Sequence, residues 1–353
     1  LNSPYISIVQ YSRNDDHGGH LFDRMSTSLY STIELLERYE LESEIIMVDY
    51  NPPADKPLLK DILQLNGSRK FVSVRFIEVP NSVHSSYPQS DKMPMNNMVA
   101  RNAGIRRARG EFILSTGVDV VFSADMIAFF AQRTLERNIS YRTSRIDVSR
   151  CVSAYVQDVD KLMESCRNNI IDIHFNTNPG TFEDTDLPAL HTNNCGDFQL
   201  LHRDVWTELC GYPEIDLIGT HADTILSYMA WLYGAKEKVL KEPFYHIDHP
   251  ARWLKPVYTH VLRNFRALYA QLGEEVMALK DEYYALAKKA SEMSGEQSEI
   301  ETKGIGILSK DEYTNIIKEM ANGARELNYN TQEWGLENIF LVEYSYGITD
   351  ERA

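Results

Sequence analysis

An alternation constrains the fold most: apolar runs of strand length, each followed by a stretch with helical spacing. YISIVQYS, Tyr5–Ser12, reads as a strand; after it come the polar loop RNDDHGG and apolar residues at Met25, Leu29, Ile33 and Leu36. EIIMVDYNPP repeats the theme, because Ile45 to Val48 form a buried run that ends at Asp49 and is stopped by Pro52 and Pro53. FVSVRFIEV, Phe71–Val79, is a third strand, followed by the loop NSVHSSYPQSDKMP and by a helix, MNNMVARNAGIRRARG, closed by Gly110. FILSTGVDVVFS, Phe112–Ser123, reads as a fourth strand, with one acid, Asp119, and a helix-start signal at Ser123. Continuous apolar strands are those covered on both faces, so roughly the first 120 residues predict βαβ units and a mainly parallel sheet flanked by helices. Ligands of open α/β sheets bind beyond the carboxyl ends of such strands, which is where Asp49 and Asp119 fall.

Downstream, SADMIAFFAQRTLER predicts a helix, and another is expected around Val156 to Cys166. The run NTNPGTFEDTDLPALHTNNCGD, Asn176–Asp197, is rich in turn formers and long enough to be a lid or acceptor loop. FQLLHR is a short strand, DVWTEL a helix capped by Asp204 and stopped by Gly211, and THADTILSYMAWLYG a helix ending at Gly234. KVLKEPFYHIDH supplies the last strands of this part. From about Pro256 the pattern is long and helical, with Gly273 between two helices and a polar linker, SGEQSEIETKG, after them. The reading is therefore a domain over residues 1–255 and a mostly helical extension over 256–353. That extension either packs on the first domain, with Trp334 docking back as an apolar anchor, or forms a homo-oligomer contact.

Composition excludes several classes. With 43% hydrophobic and 25% charged residues, the chain of 353 residues is ordinary for a globular protein. A net charge of -15 repels a nucleic-acid backbone, so a phosphate-bearing partner must be small and met by local donors. The four cysteines match no zinc or redox spacing and read as free buried thiols of a cytoplasmic protein. No apolar run has the length of a membrane helix, and a start at Leu1 rather than Met leaves open a trimmed segment.

The order of these pieces resembles the GT-A fold of nucleotide-sugar glycosyltransferases, most closely glycosyltransferase family 2, over about Pro4 to Pro250. The likeness rests on a strand ending Tyr11-Ser12-Arg13, on EIIMVD, on ARNAGIRRARGEFIL leading into GVD, on GDFQLLHRDVWTELCGYPE, and on HAD before a helix. It implies a Rossmann-like, mainly parallel mixed sheet and transfer of a sugar from a nucleotide-diphosphate donor, UDP-sugar favoured, to a saccharide or other hydroxyl acceptor. Asp49 resembles the nucleoside contact, with Tyr11 and Arg13 lining the same crevice; Arg101 and Asn102 match positions facing the nucleotide or diphosphate. Arg106, Arg107 and Arg109 read instead as a solvated face. Where the family has Asp-x-Asp holding a divalent metal, this chain has Gly117-Val118-Asp119, so only Asp119 carries over, with His246 or His249 completing a manganese or magnesium shell. Ala222-Asp223 stands at the family's Glu-Asp, whose second acid is the general base of inverting transfer; Thr220 to Asp223 equally has the spacing of a capping box. Asp197 matches an acceptor contact.

The alternative is a nucleotide-sugar-binding or regulatory protein that has lost turnover, a reading favoured by Gly117 in place of an acid. A nucleotidyltransferase needs a glycine-rich, lysine-bearing first loop, which RNDDHGG does not provide.

Overall fold

A computed structural model describes residues 3–65, 67, 69–174, 182, 186–192, 194–215, 221–250, 255–272 and 274–347. Its strands are β1 (Ile6–Ser12), β2 (Ser43–Tyr50), β3 (Val72–Val79), β4 (Phe112–Thr116), β5 (Val120–Phe122) and β6 (Ile139–Arg142). They continue with β7 (Arg145–Val148), β8 (Ile170–His174), β9 (Phe198–His202), β10 (Lys236–Val239), β11 (Phe244–Ile247) and β12 (Val342–Tyr346). Eight of them form one mixed sheet in the order β10-β6-β9-β4-β1-β2-β3-β12. Its centre, β4-β1-β2-β3, is parallel, as the alternation predicts, while β9 and β12 run antiparallel to their neighbours. The fold is thus α/β, with a mixed, mainly parallel sheet flanked by helices.

Strand residues alternate between two cores because successive side chains leave opposite faces of a sheet. Ile6, Ile8, Ile45, Met47, Phe112 and Leu114 pack on one side with Leu21, Met25, Leu29 and Leu36 of the helix Leu21–Arg38. Val9, Ile46, Val48 and Ile113 face the other side, against the helices Asn97–Arg107 and Ala222–Tyr233. Each fully buried aliphatic side chain contributes about 1.5–3 kcal/mol relative to exposure, so this two-sided burial holds the parallel strands together.

The run Phe112–Ser123, expected as one strand, is two. The chain leaves the main sheet after Thr116, turns through Gly117 to Asp119, and enters a second sheet of order β5-β11-β7-β8. Asp119 therefore stands at the junction of the sheets. A Cβ on Gly117 would sit 2.7 Å from Asp119 Oδ1, so a side chain there would require the Asp119 carboxylate to move from its present position. The Gly117 carbonyl accepts from Gln10 Nε2 at 3.0 Å, which fixes the turn to β1.

Several boundaries differ from expectation. The helix before β4 ends at Arg107, with Ala108 as an extended cap, and Gly110 instead donates its N–H to Ser7 Oγ at 2.8 Å. The cap of the helix Arg203–Glu208 is His202, whose ring accepts from the Asp204 N–H at 3.1 Å. The helix expected around Val156 to Cys166 runs Val159–Asn168 from an Asp158 cap. Cys166 and Cys210 are buried free thiols, whereas Cys151 is exposed. The lid expectation for Asn176–Asp197 falls partly outside the described residues, and Thr220 and Gly273 lie outside them.

Arg106 and Arg107 do not form a solvated face but help clamp the C-terminal segment; the Arg109 side chain is exposed, as expected, and its backbone is tied to the sheet. Arg107 donates to the carbonyls of Gly335 (2.8 Å), Leu336 (2.8 Å) and Ile339 (3.1 Å), and Arg106 lies over the Trp334 ring at 4.9 Å. The Arg109 N–H donates to Glu44, which with Glu343 of β12 brackets the buried Arg75 guanidinium at 2.9 and 2.7 Å. Trp334 is buried, as expected of an anchor. Among the described residues, no helix is long and apolar enough to cross a membrane.

Candidate functional site

Three side chains meet where the two sheets part. Asp119 closes the Gly117 turn, His246 projects from β11, and His249 follows β11. Their nearest ligand atoms all lie within 4.8 Å of one another. His246 Nε2 is 3.7 Å from Asp119 Oδ1, and His249 Nε2 is 3.0 Å from Asp119 Oδ2.

Both rings are oriented by their other nitrogen. His246 Nδ1 faces Asp147 Oδ1 at 3.0 Å and His249 Nδ1 faces the Pro250 carbonyl at 3.1 Å; carboxylate and carbonyl only accept, so both Nδ1 atoms carry the proton. Each Nε2 is thereby turned toward Asp119, the arrangement by which histidine ligands are held for a metal. One carboxylate oxygen and two imidazole nitrogens form a donor set that suits manganese and, with further oxygen ligands, magnesium. These residues fit the metal that the resemblance implies.

Asp119 also faces a cation that sequence reading missed. Arg24, fully buried on the helix Leu21–Arg38, donates from Nη1 to Asp119 Oδ2 at 2.8 Å and from Nη2 to the His17 carbonyl. Burial alone would raise the Asp119 carboxyl, but His246, His249 and Arg24 hold it well below the usual carboxylate range. A signal for Arg24 was present, since it falls three residues after Leu21, on the apolar stripe of its helix, where an unpaired charge is rare.

A chain of ion pairs runs from this cluster to the other acids. Arg145 of β7 donates from Nε to Asp147 Oδ1 at 2.6 Å and from Nη1 to Asp197 Oδ2 at 2.7 Å. Arg145 and Asp147 are two apart on one strand, hence on one face, and that spacing was the readable sign of the pair. Asp197 sits at the end of a short 3-10 turn before β9, its carbonyl accepting from Thr116 Oγ1 at 2.7 Å.

Asp223 occupies the first turn of the helix Ala222–Tyr233, where Oδ1 accepts the Thr224 N–H at 2.8 Å. The His221 cap is left-handed at φ 74° and makes no side-chain capping bond, so a cap by that residue is not realised. A Cβ on Gly196 would lie 2.8 Å from Asp223 Oδ2 and 3.7 Å from Arg101 Nη2, so glycine there lets both groups approach the Asp197 turn. Arg101 is buried, donates to Ser115 Oγ (2.9 Å) and Tyr11 Oη (3.2 Å), and lies 4.6 Å from the Tyr11 ring centre. Burial works against its charge, yet Tyr11, Tyr212, Asp197 and Asp223 hold its pKa above the ordinary arginine value. Tyr11 is raised by burial, with Arg101 lowering it and Asp197 and Asp119 raising it further, which places its hydroxyl within the field of both acids.

Asp49 and Arg13 form a neighbouring group at the same strand ends. Ser12 and Asp49 are in register across β1 and β2. Asp49 Oδ2 accepts the Leu59 N–H at 2.8 Å, whereas the buried Oδ1 has no hydrogen-bond partner among the described residues. Burial first, then Glu78, push its pKa up to about 6 against the Leu59 N–H and Arg13. Arg13 Nε donates to the Asn51 carbonyl at 2.6 Å and pairs with Asp15.

Asn102 stands apart. Its amide is committed to the protein, donating to the Tyr212 carbonyl (2.8 Å) and Glu214 (2.9 Å) and accepting the Tyr212 N–H (2.8 Å), so it braces the Tyr212 turn and leaves no group for a nucleotide.

No protein-family profile matches the chain, and no curated protein matches it. Among solved structures it is similar to residues 1–349 of S. aureus TarS, at 16% identity and a TM-score of 0.43, over 79% of this chain and 69% of that one. The complex of that protein with UDP is matched at 15% identity and a TM-score of 0.42, over 80% and 70%. Its complex with UDP-GlcNAc gives 15% and 0.41, over 80% and 71%.

Proposed function

We propose that this chain is a glycosyltransferase of the GT-A kind, moving a sugar from a nucleotide-diphosphate donor to an acceptor hydroxyl with inversion and metal assistance. One observation carries the reading: Asp119 and Asp197, far apart in sequence, are linked through His246, Asp147 and Arg145, with His249 and the buried Arg24 on Asp119, and with Asp223 and the buried Arg101 facing Gly196, where the carboxyl ends of the parallel strands lie. A crevice of that composition suits a pyrophosphate flanked by a base.

Asp49 offers the partnerless Oδ1 to a ribose hydroxyl or base N–H, with Arg13 and Tyr11 beside it. Arg101, held by Tyr11 and Ser115, keeps a fixed positive charge toward the diphosphate. Asp119, His246 and His249 would hold manganese or magnesium, which when bound supplies positive charge against the leaving group. Asp223 takes the acceptor proton as the acceptor oxygen bonds to the anomeric carbon; the bond to the diphosphate breaks and its electron pair leaves with the phosphate. Asp197, beside Asp223 through Gly196, orients the acceptor.

The second reading, a nucleotide-sugar-binding protein without turnover, is favoured by Arg24, which neutralises the one carboxylate of the cluster. The two are separated by sugar release from UDP-sugars, with and without manganese. The transferase reading requires metal-dependent release, and Asp223→Asn lowering transfer about 100- to 10,000-fold with nucleotide affinity retained. Nucleotide affinity with no release by the wild-type chain rejects it in favour of the binder.

A further inference from the structure

The metal cluster is joined to the Asp197 turn by one path of contacts, Asp119, His246, Asp147, Arg145 and Asp197, and Gly196 of that turn faces Asp223. We infer that Arg145 is a positioning residue that couples the Asp197 side of the crevice to the orientation of His246; the metal half of this inference rests on the transferase reading. Asp147 Oδ1 is shared, accepting from His246 Nδ1 at 3.0 Å and from Arg145 Nε at 2.6 Å. Asp147 is fully buried, so the hydrogen bonds to its carboxylate are strong and exchanging one for another is costly.

The other half of the Arg145 fork is tied down by Asp197 at 2.7 Å and by Asn194 at 3.4 Å. The guanidinium is thus shared, giving Nε to Asp147 and Nη1 to Asp197, each at full hydrogen-bond contact. When Asp197 turns to a ligand hydroxyl, or loses its charge, the Nη1 donor it releases turns to Asp147 as a second donor beside Nε and competes with His246 Nδ1 for that carboxylate. His246 Nε2 then loses its aim at Asp119. Occupancy of the Asp197 side is thereby reported to the metal side through side chains that touch neither metal nor donor, and groups of that kind commonly change metal affinity about 10- to 100-fold.

The test uses the full chain and manganese alone, titrated calorimetrically, with Asp197→Asn, Asp147→Asn and the double variant. Asp197→Asn is expected to weaken manganese binding about 5- to 30-fold although no ligand has been touched, and Asp147→Asn about 10- to 100-fold. The double variant should be no weaker than Asp147→Asn, because both act through one shared oxygen. Unchanged manganese affinity in Asp197→Asn, or losses that multiply in the double variant, overturns the coupling. A second readout needs no metal: the imidazole 15N resonances of His246 in the metal-free protein. They must move in Asp197→Asn and be restored by Asp197→Glu; an unmoved spectrum in Asp197→Asn overturns the relay. If the wild-type chain binds neither manganese nor UDP, the transferase reading falls, and this spectrum still decides whether Arg145 links Asp197 to His246.

Discussion

A carboxylate buried without an ion pair lowers stability, and Asp49 is such a group. Its pKa in the folded chain is about 6, raised chiefly by burial from 3.8. Between these values the native state binds more protons than the unfolded one, so stability falls as pH rises from about 4 to about 6 and is flat above that. The shift corresponds to roughly 3 kcal/mol, taken at 1.36 kcal/mol per unit. Asp49→Asn keeps an oxygen for the Leu59 N–H and removes the charge, so it is expected to melt higher than wild type at pH 7.5, by about 1–3 kcal/mol, with the gain shrinking toward pH 4. Paired pH-dependent denaturation curves check this; a less stable variant at pH 7.5 contradicts it. The same variant should bind nucleotide more weakly, since a charged acceptor is lost. At this scale, the residues legible in the sequence were three acids at strand or helix ends, Asp49, Asp119 and Asp223, and two histidines, His246 and His249. Arg24, Arg145 and Asp147 escaped because local spacing marks them as unusual but does not name their partners, which lie 95, 52 and 99 positions away. Asn102 was misjudged for the converse reason, since the Tyr212 turn that consumes its amide lies 110 positions on.

Elements long enough to carry periodicity were legible: β1, β2, β3 and the helices Leu21–Arg38 and Asn97–Arg107 all lie where the apolar spacing put them. Short strands were legible only in part: β9, β10 and β11 lie in segments read as strands, but others were missed. β5 to β8 span three to five residues each, too few for alternation to stand out from a loop, and the apolar run Phe112–Ser123 gave no sign of changing sheets at Gly117. β12 escaped because an edge strand with exposed, mixed residues, VEYSY, lacks the buried signature. Its attachment is testable. Trp334 is 3% exposed and stacks under Arg106, so Trp334→Ala should cost about 3–5 kcal/mol in denaturant unfolding and make the segment after Gly323 protease-sensitive. A loss below 1 kcal/mol would show that the tail is not anchored there.

At the scale of the molecule, the parallel centre of the sheet delivers Tyr11, Ser12, Asp49 and Thr116 to one edge, and the second sheet brings His246 and His249 against that edge. The C-terminal part also contributes. The helix Lys310–Ala321 packs on the helix that carries Asp223, and its Tyr313 ring stacks on the left-handed His221 cap at 4.2 Å. The C-terminal part thus packs against the elements that carry the candidate site. A net charge of -15 surrounds a candidate site that gathers Arg24, Arg101 and Arg145, so an anionic ligand there would be attracted locally and repelled globally. The most direct measurement is the melting temperature of the wild-type chain and of Asp119→Asn with UDP, manganese, both and neither. The account requires UDP with manganese to stabilise the wild type, by about 2.7 kcal/mol at a hundredfold excess over the dissociation constant, and Asp119→Asn to lose the manganese-dependent part. Equal stabilisation of both proteins by UDP, indifferent to manganese, would contradict it.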